Sequence, residues 1–598
     1  MTTKKPHGQL RRGQLLTTYG PGALFDLPRH AAIIGGLDAW PKPSELEEIH
    51  ELRLTRKVQK CTSVANPRLY APPAADDMPG AKGFGITVYR FPEWFVVQEQ
   101  AQPRARLLSR RLVHRRALDA RGRFEGLPVV ATRFIAACSH GHVSDINWYL
   151  FVHGGSSACR RQLWLDELGT SGDLGDLIVR CECGKERRML EALNREMKPL
   201  GQCSGQRPWL GAESNEACGE AARLLIRTAS NAYFPQILSV LAIPDRTMLL
   251  DTRVQELWDD LSAVDDAGDL KVFKKKPLVA EKLTGFSDEE VLAAIKRKQS
   301  GMYLQEKAIK LAELDAILAV AEGYGNDQPV NEDFHARRLP AAAWRHSTLS
   351  DPIAAVYQLH RLREVLALIG FTRFEAIMPN IDGEYEDDLK PAPLAREPSW
   401  FPAVENRGEG IFIQLDSAAI ATWLQRPAVQ ARLRALQRGH DQWQAKRLSK
   451  RTFPGGPYIL LHTLAHMLIQ ALALRCGYPM SAIRERIYAD GAEQRYAILL
   501  YTGSPDSSGT LGGLVQQARA IEEHLEQALR RAMLCSNDPI CAHHAPDDPL
   551  EGRWLLGAAC HGCALIGESS CEMRNDYLDR ALVVPVLGLE DVALFHGV

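Results

Sequence analysis

The cysteines carry the strongest chemical signal in this 598-residue sequence. Cys535, Cys541, Cys560, Cys563 and Cys571 fall in one stretch, CSNDPIC followed by GAACHGCALIGESSCE. A Cys-x2-Cys pair on a tight turn points two thiolates at one ion, and a second arm supplies the remaining ligands of a tetrahedron. Cys560 and Cys563 are the expected knuckle, Cys571 a near third ligand, and Cys535 or Cys541 the closing one, so that one thiol of the five is spare. The expected ion is zinc in a structural role, because four thiolates leave no coordination position for water.

A second set lies earlier. Cys181 and Cys183 stand in VRCECGKE, followed by Cys203 in QCSGQRPWLG and Cys218 in EACGE. The glycine after Cys183 suits a knuckle turn, and these four thiols make a second expected zinc site, although Cys-x-Cys is tighter than the usual spacing. Cys138, His140, His142 and Cys159 either add to that site, form another, or are hydrogen-bonded loop residues. His462 and His466 sit at i and i+4 in HTLAHML. That spacing presents two imidazoles to a metal in metalloproteases, but Thr463 stands where their general-base glutamate would be. Packed structural histidines are the preferred reading of this pair. The turn DSSGTLGGL, residues 506–514, has glycines that allow close backbone approach to a phosphate, or simply a tight turn.

Residues 101–123 hold eight arginines against the single carboxylate of Asp119. Arg104, Arg106, Arg110, Arg111, Arg115 and Arg116 form a dense positive run, and the planar guanidinium fork suits phosphate. A second basic run, residues 426–451, is interleaved with Trp423 and Trp443. No G-x-x-x-x-G-K-[ST] cradle occurs, since the only Gly-Lys pair, Gly184-Lys185, precedes Glu186. The sequence therefore offers no seat for the nucleotide of an ATP-driven motor.

The elements that must position these groups divide the chain into four blocks: 1–130, mixed strand and loop with the basic run; 131–235, cysteine-rich; 236–370, helical; and 371–598, ending in the second cysteine set. The predicted fold class is α+β, multidomain, with one or two structural zinc sites and a central helical region. Residues 129–137 read as one buried strand delivering Cys138. Ser287 and Glu290 form a capping box, and Leu311, Leu314 and Ile317 recur at helical spacing. A further helix is expected over 353–368, an apolar helix over 460–474, and strands over 410–415 and 496–501.

Composition bounds the rest. Charged residues make up 24% of the chain and the formal net charge is −1, so any polyanion site is local. The basic opening MTTKKPHGQLRRGQ lacks the apolar stretch of a secretory signal. No run of about 18 apolar residues marks a membrane span. Thirteen clustered cysteines fit metal binding in a reducing compartment better than a disulfide framework. The expected location is the cytoplasm.

An ordered series of motifs points further. QLLTTYGPGALFDLP with GGLDAW, CSHGHVSDINW, RTASNAYFP, LREVLALIGFTR, FPAVENRGEGIFIQL, HTLAH, DSSGTLGGL and CHGCALIGESSCE together resemble the DrmB family of the DISARM anti-phage system, from about residue 14 to 579. The C-terminal part resembles the domain of unknown function that follows the motor in certain DEAD-box helicases. The resemblance implies a non-motor subunit of a DNA-directed defence complex, partnered by a separate helicase-like subunit (DrmA-like) and assisting it on DNA. Catalysis is then expected in the partner. The rival reading is a metal-dependent nuclease, or other enzyme, built on the His462/His466 helix.

Overall fold

The computed structural model describes residues 10–27, 30–73, 85–99, 107–168, 172–243, 246–300, 307–320, 333–385, 390–447, 449–503, 513–548 and 550–596. Arg104, Arg106 and most of the 506–514 turn lie outside these residues. The chain divides into two units, one formed by residues 1–239, 365–379 and 385–405 and the other by 240–364, 380–384 and 406–598. Blocks 1–130 and 131–235 fall in the first unit, which also takes two later segments, while blocks 236–370 and 371–598 are shared between the units. The protein is α+β, with helices and several sheets along the chain.

In the first unit a six-stranded antiparallel sheet runs in the order Glu186–Arg188, Leu177–Cys181, Leu163–Leu168, Leu107–His114, Trp94–Val97, Val129–Ala131. A smaller sheet sets Phe134–Ala137 between Arg223–Ile226 and Val143–Ser144. The single strand expected over 129–137 is thus two strands in different sheets. Thr132 and Arg133 make the corner, where Arg227 donates its backbone N–H to the Arg133 carbonyl at 2.9 Å. The short strand Phe134–Ala137 is buried throughout and runs straight into Cys138.

Residues 353–368, expected to be helical, belong to a twenty-residue strand, Ile353–Thr372. Its run of apolar side chains satisfies neither a clean alternation nor a clean helical stripe, because nearly every position on both faces is buried. A strand buried on both faces cannot be told from a buried helix by periodicity. Pairing decides it: Phe334–Arg338 lies antiparallel along residues 357–362. The expected strand over 410–415 is the end of a longer one, Trp400–Leu415, paired with Arg495–Thr502, which pairs in turn with Ile483–Asp490.

The second unit is organised on the helix Gly456–Cys476. Gly455 at φ 84° and Pro457 in the first turn start it, and Gly477 in the left-handed region ends it. It is apolar all round and buried on nearly every side, the pattern of a core helix. By length and composition it would also cross a membrane, but most of it is buried within the protein; His462, Thr463, His466 and Gln470 interrupt its apolar run. Helix Ile521–Ala532 and strand Ile483–Asp490 pack on it. The capping box of Ser287 and Glu290 starts helix Asp288–Gln299, and Leu314 and Ile317 are core residues of helix Ile309–Leu318. Helices between residues 246 and 299 close a core of their own around Leu261, Leu270 and Ile295.

A buried ion pair ties these pieces together. Glu313 takes two hydrogen bonds from Arg486, at 2.6 and 2.8 Å, and one each from Tyr488 Oη and the Leu241 N–H. Both partners are almost wholly buried. Replacing Glu313 with Ala leaves a buried guanidinium without its counter-charge, which costs about 3–5 kcal/mol. Denaturant unfolding followed by fluorescence is expected to show a loss of that size, whereas a loss under about 1 kcal/mol would place the pair with ordinary surface bridges.

Candidate metal centres

Among the described residues, four groups of side chains each bring one ligand atom per residue to within 4.8 Å of one another. The four cysteines expected as a single early site are divided between two of these groups. Cys203 and Cys218 stand with Cys138 and His142, while Cys181 and Cys183 stand with His153 and Cys159.

The strand register explains the first group. Ala137 lies opposite both Val143 and Arg223, so Cys138 and His142 meet at one end of the small sheet, where the chain returning from Cys218 also arrives. Cys203 joins through its own N–H, which donates to the Glu220 carbonyl at 2.9 Å. Cys138 Sγ is 3.3 Å from His142 Nδ1 and 4.0 Å from Cys218 Sγ. His142 Nε2 faces Glu216 Oε1 at 2.6 Å. A carboxylate on one ring nitrogen leaves the other free to ligate, the usual support of a metal-bound histidine. His140, expected only as a loop residue or an added ligand, is outside the group, with Nδ1 3.8 Å from Cys218 Sγ.

The second group is built on the large sheet. Leu163 pairs with Cys181, which draws Cys159, four residues before Leu163, to the turn after Cys181. Cys159 Sγ and Cys181 Sγ are 3.6 Å apart. His153, the last residue of helix Trp148–His153, places Nε2 3.3 Å from Cys183 Sγ and Nδ1 2.8 Å from the Tyr149 carbonyl. A carbonyl only accepts, so Nδ1 carries the hydrogen and Nε2 faces the thiols. His153 carried no motif: only the fold brings it to a pair 30 residues away.

The third group brings together four of the five C-terminal thiols. Cys535, Cys541, Cys560 and Cys563 converge, with Cys535 to Cys560 at 3.4 Å, Cys560 to Cys563 at 3.7 Å and Cys541 to Cys563 at 3.8 Å. Cys571 stands elsewhere, 3.1 Å from His462 Nε2, in the fourth group with His466 and Glu485. The His462/His466 pair stands in this group and is completely buried, beyond reach of a substrate.

The thiols share a local device. A backbone N–H two residues on bonds to the sulfur of Cys181, Cys183, Cys203, Cys218, Cys535, Cys560 and Cys571. Such bonds favour thiolate, the form that ligates metal. The Lys185 N–H is the largest of the influences that bring the Cys183 thiol down to about 6. Hydrogen bonding from Cys138 brings Cys203 to about 4, and bonding from Cys563 brings Cys541 to about 6. Each of the three thiol-rich groups thus holds a thiolate at neutral pH. Closed, sulfur-rich, four-donor sets of this kind suit zinc.

The arginine run is more neutralised than its sequence suggests. Arg110 pairs with Glu167 at 2.5 Å, Arg111 with Glu99 at 2.5 Å and Glu125 at 2.6 Å, and Arg115 with Glu93 at 3.5 Å. Those carboxylates come from outside the counted stretch. Arg115, Arg116 and Arg121 remain exposed. In the second basic run Arg432 is buried against Asp579 at 2.7 Å, and Arg451 meets Asp576 at 2.8 Å and lies over the Trp443 ring. Trp423 is core, its indole N–H donating to the Val592 carbonyl.

Residues 464–564 match the family described as the MrfA Zn-binding domain, and residues 11–234 match a domain of unknown function, DUF8724. The zinc-domain match contains all four cysteines of the third group, and zinc is the metal of this chain. Over 491 residues, which are 78% of this chain and 82% of the relative, the sequence is 32% identical to the DISARM protein DrmB of Bacillus paralicheniformis. The chain belongs to the family of that DISARM protein, DrmB.

Proposed function

We propose that this protein is a cytoplasmic, non-motor subunit of a DISARM anti-phage complex, a zinc-braced scaffold that helps a separate helicase-like subunit engage DNA. The observation that carries the reading is the extent of the match to DrmB, which takes in most of both chains. The build of the metal groups supports a scaffold: their donors close on one another and link segments distant in sequence, as structural zinc does. The sequence has no phosphate cradle for ATP, so the motor is assigned to the partner. Zinc is assigned to Cys138, His142, Cys203 and Cys218; to His153, Cys159, Cys181 and Cys183; and to Cys535, Cys541, Cys560 and Cys563. The nuclease reading has nothing to favour it, since its histidine pair is sealed from solvent.

DNA contact is assigned to the exposed end of the arginine run. Arg110 and Arg111 are occupied by glutamates and hold the sheet, whereas Arg116 and Arg121 face solvent and the exposed Arg115 has only a 3.5 Å contact with Glu93.

Two measurements test this reading. Replacing Cys183 and Cys203 together with Ser is expected to remove two zinc equivalents per chain by elemental analysis, since they serve different ions; loss of one would restore a single early site. In gel-shift titrations with the helicase-like subunit present, Arg115→Gln, Arg116→Gln and Arg121→Gln combined are expected to weaken duplex binding. The same variant should flatten the salt dependence by up to about 0.9 per lost contact, with base preference unchanged. An unaltered affinity and slope in folded, partner-bound protein would remove this surface from the DNA path.

A further inference from the structure

The fourth group is left over by everything above. His462 and His466 stand one turn apart on helix Gly456–Cys476, Glu485 lies on strand Ile483–Asp490, and Cys571 comes from the C-terminal segment. The zinc-domain match, 464–564, excludes both His462 and Cys571. His462 Nε2 is 3.1 Å from Cys571 Sγ and 3.0 Å from Glu485 Oε1, and His466 Nε2 is 3.3 Å from the same oxygen. All four residues are buried.

Hydrogen bonds fix what each atom presents. His462 Nδ1 lies 3.1 Å from the Tyr577 carbonyl and His466 Nδ1 2.8 Å from the Ala564 carbonyl. Each Nδ1 therefore carries a hydrogen, and a neutral ring turns the lone pair of Nε2 inward. Cys571 Sγ accepts the N–H groups of Met573 at 3.4 Å and Asn575 at 3.1 Å, the same support given to the zinc-assigned thiols. Glu485 Oε1 accepts the Glu572 N–H at 3.2 Å, while its Oε2 is buried with no hydrogen-bond partner.

Lone pairs thus meet lone pairs, and positive charge must stand between them. Two added protons would supply it, but they would either make two imidazolium rings with centroids 4.6 Å apart in a fully buried space or neutralise the thiolate that two backbone N–H groups support. One divalent cation balances the carboxylate and the thiolate without that like-charge contact. Zinc bonds of about 2.0–2.3 Å give tetrahedral donor separations of roughly 3.3–3.8 Å. The measured separations need open by only a few tenths of an ångström to reach that range.

We propose that His462, His466, Glu485 and Cys571 form a further zinc site, distinct from the four-cysteine site, with no position open to water or substrate. Its role is to join the central helix, the sheet and the C-terminal segment at one point. The full-length chain exchanged with cadmium-113 is expected to show, besides the deshielded signals of thiolate-rich sites, one NMR resonance in the more shielded range of a single-sulfur, nitrogen- and oxygen-bound ion. Cys571→Ser should abolish that resonance and lower zinc content by one equivalent, leaving the other signals in place. Thiolate-rich signals without the single-sulfur resonance would overturn the site, as would unchanged zinc content in Cys571→Ser. The wild-type spectrum decides the question even where the variant fails to fold.

Discussion

Like-charged donors packed at contact distance are the constraint on which this structure rests. Thiols 3.4–3.8 Å apart in the four-cysteine group repel as soon as they ionise, yet backbone N–H groups are arranged to favour ionisation. A divalent cation reconciles the two, and metal bound there adds to the folding free energy of these segments. The environment is tuned to help: Arg580, fully buried, donates to the carbonyls of Ala532 and Met533 and lies where its charge acts on Cys541 and Cys563. The turns demand glycine for the same reason of crowding. A Cβ at Gly205, beside Cys203, would sit 1.7 Å from the Glu216 carbonyl oxygen, and Glu216 is the partner that orients His142.

A second constraint explains why several scattered motifs belong together. Arg373, buried and without a carboxylate among its recorded hydrogen-bond partners, donates to the carbonyls of Gly22, Gly141 and Ala232. Those residues come from TTYGPG, CSHGH and TASNAYFP, and Arg373 itself closes LIGFTR. Burial holds its guanidinium down to about 10, still charged at neutral pH, and three carbonyl dipoles satisfy it. Gly141 is in the turn between Cys138 and His142, and a Cβ there would meet Ala392 at 2.5 Å. The cation thus fixes the loop that carries two donors of the first metal group. The resemblance read from these strings in sequence has a physical centre: they are the walls of one buried arginine.

What sequence conveyed about the sites was local, and what it missed was pairing at a distance. The Cys560/Cys563 knuckle was legible because both ligands lie on one turn. Cys181 and Cys183 were legible as a pair and Cys159 as one candidate addition to it, but not His153, and the meeting depends on the register of Leu163 against Cys181. Cys203 and Cys218 follow Cys183 along the chain, and chain order made them its apparent partners; the small sheet sends them instead to Cys138. Cys571 was drawn to its near neighbours for the same reason. The strand Ile353–Thr372 was lost to a different ambiguity, because burial on both faces erases the alternation that marks a strand. Helix Gly456–Cys476 was legible in type, and its histidines were visible, but their partner Glu485 had no motif at all.

The electrostatics follow the same logic of compensation. Beside a formal net charge of −1, many charges are answered locally: buried Glu313 by Arg486, buried Asp579 by Arg432, and the inner arginines of the basic run by Glu99, Glu125 and Glu167. Counting charge along a stretch of sequence overstates the field when the counter-charges arrive from other strands. Position in the fold, rather than density in the sequence, then selects which arginines are available to a polyanion. On strand Leu107–His114 they are held by glutamates and brace the sheet; beyond its end Arg115 keeps a looser, exposed contact with Glu93, and Arg116 and Arg121 reach solvent. An exposed guanidinium keeps its hydration until a phosphate replaces it, whereas a paired one must first give up a bond of comparable strength. The boundary between bracing and solvent-exposed arginines therefore falls where the strand ends.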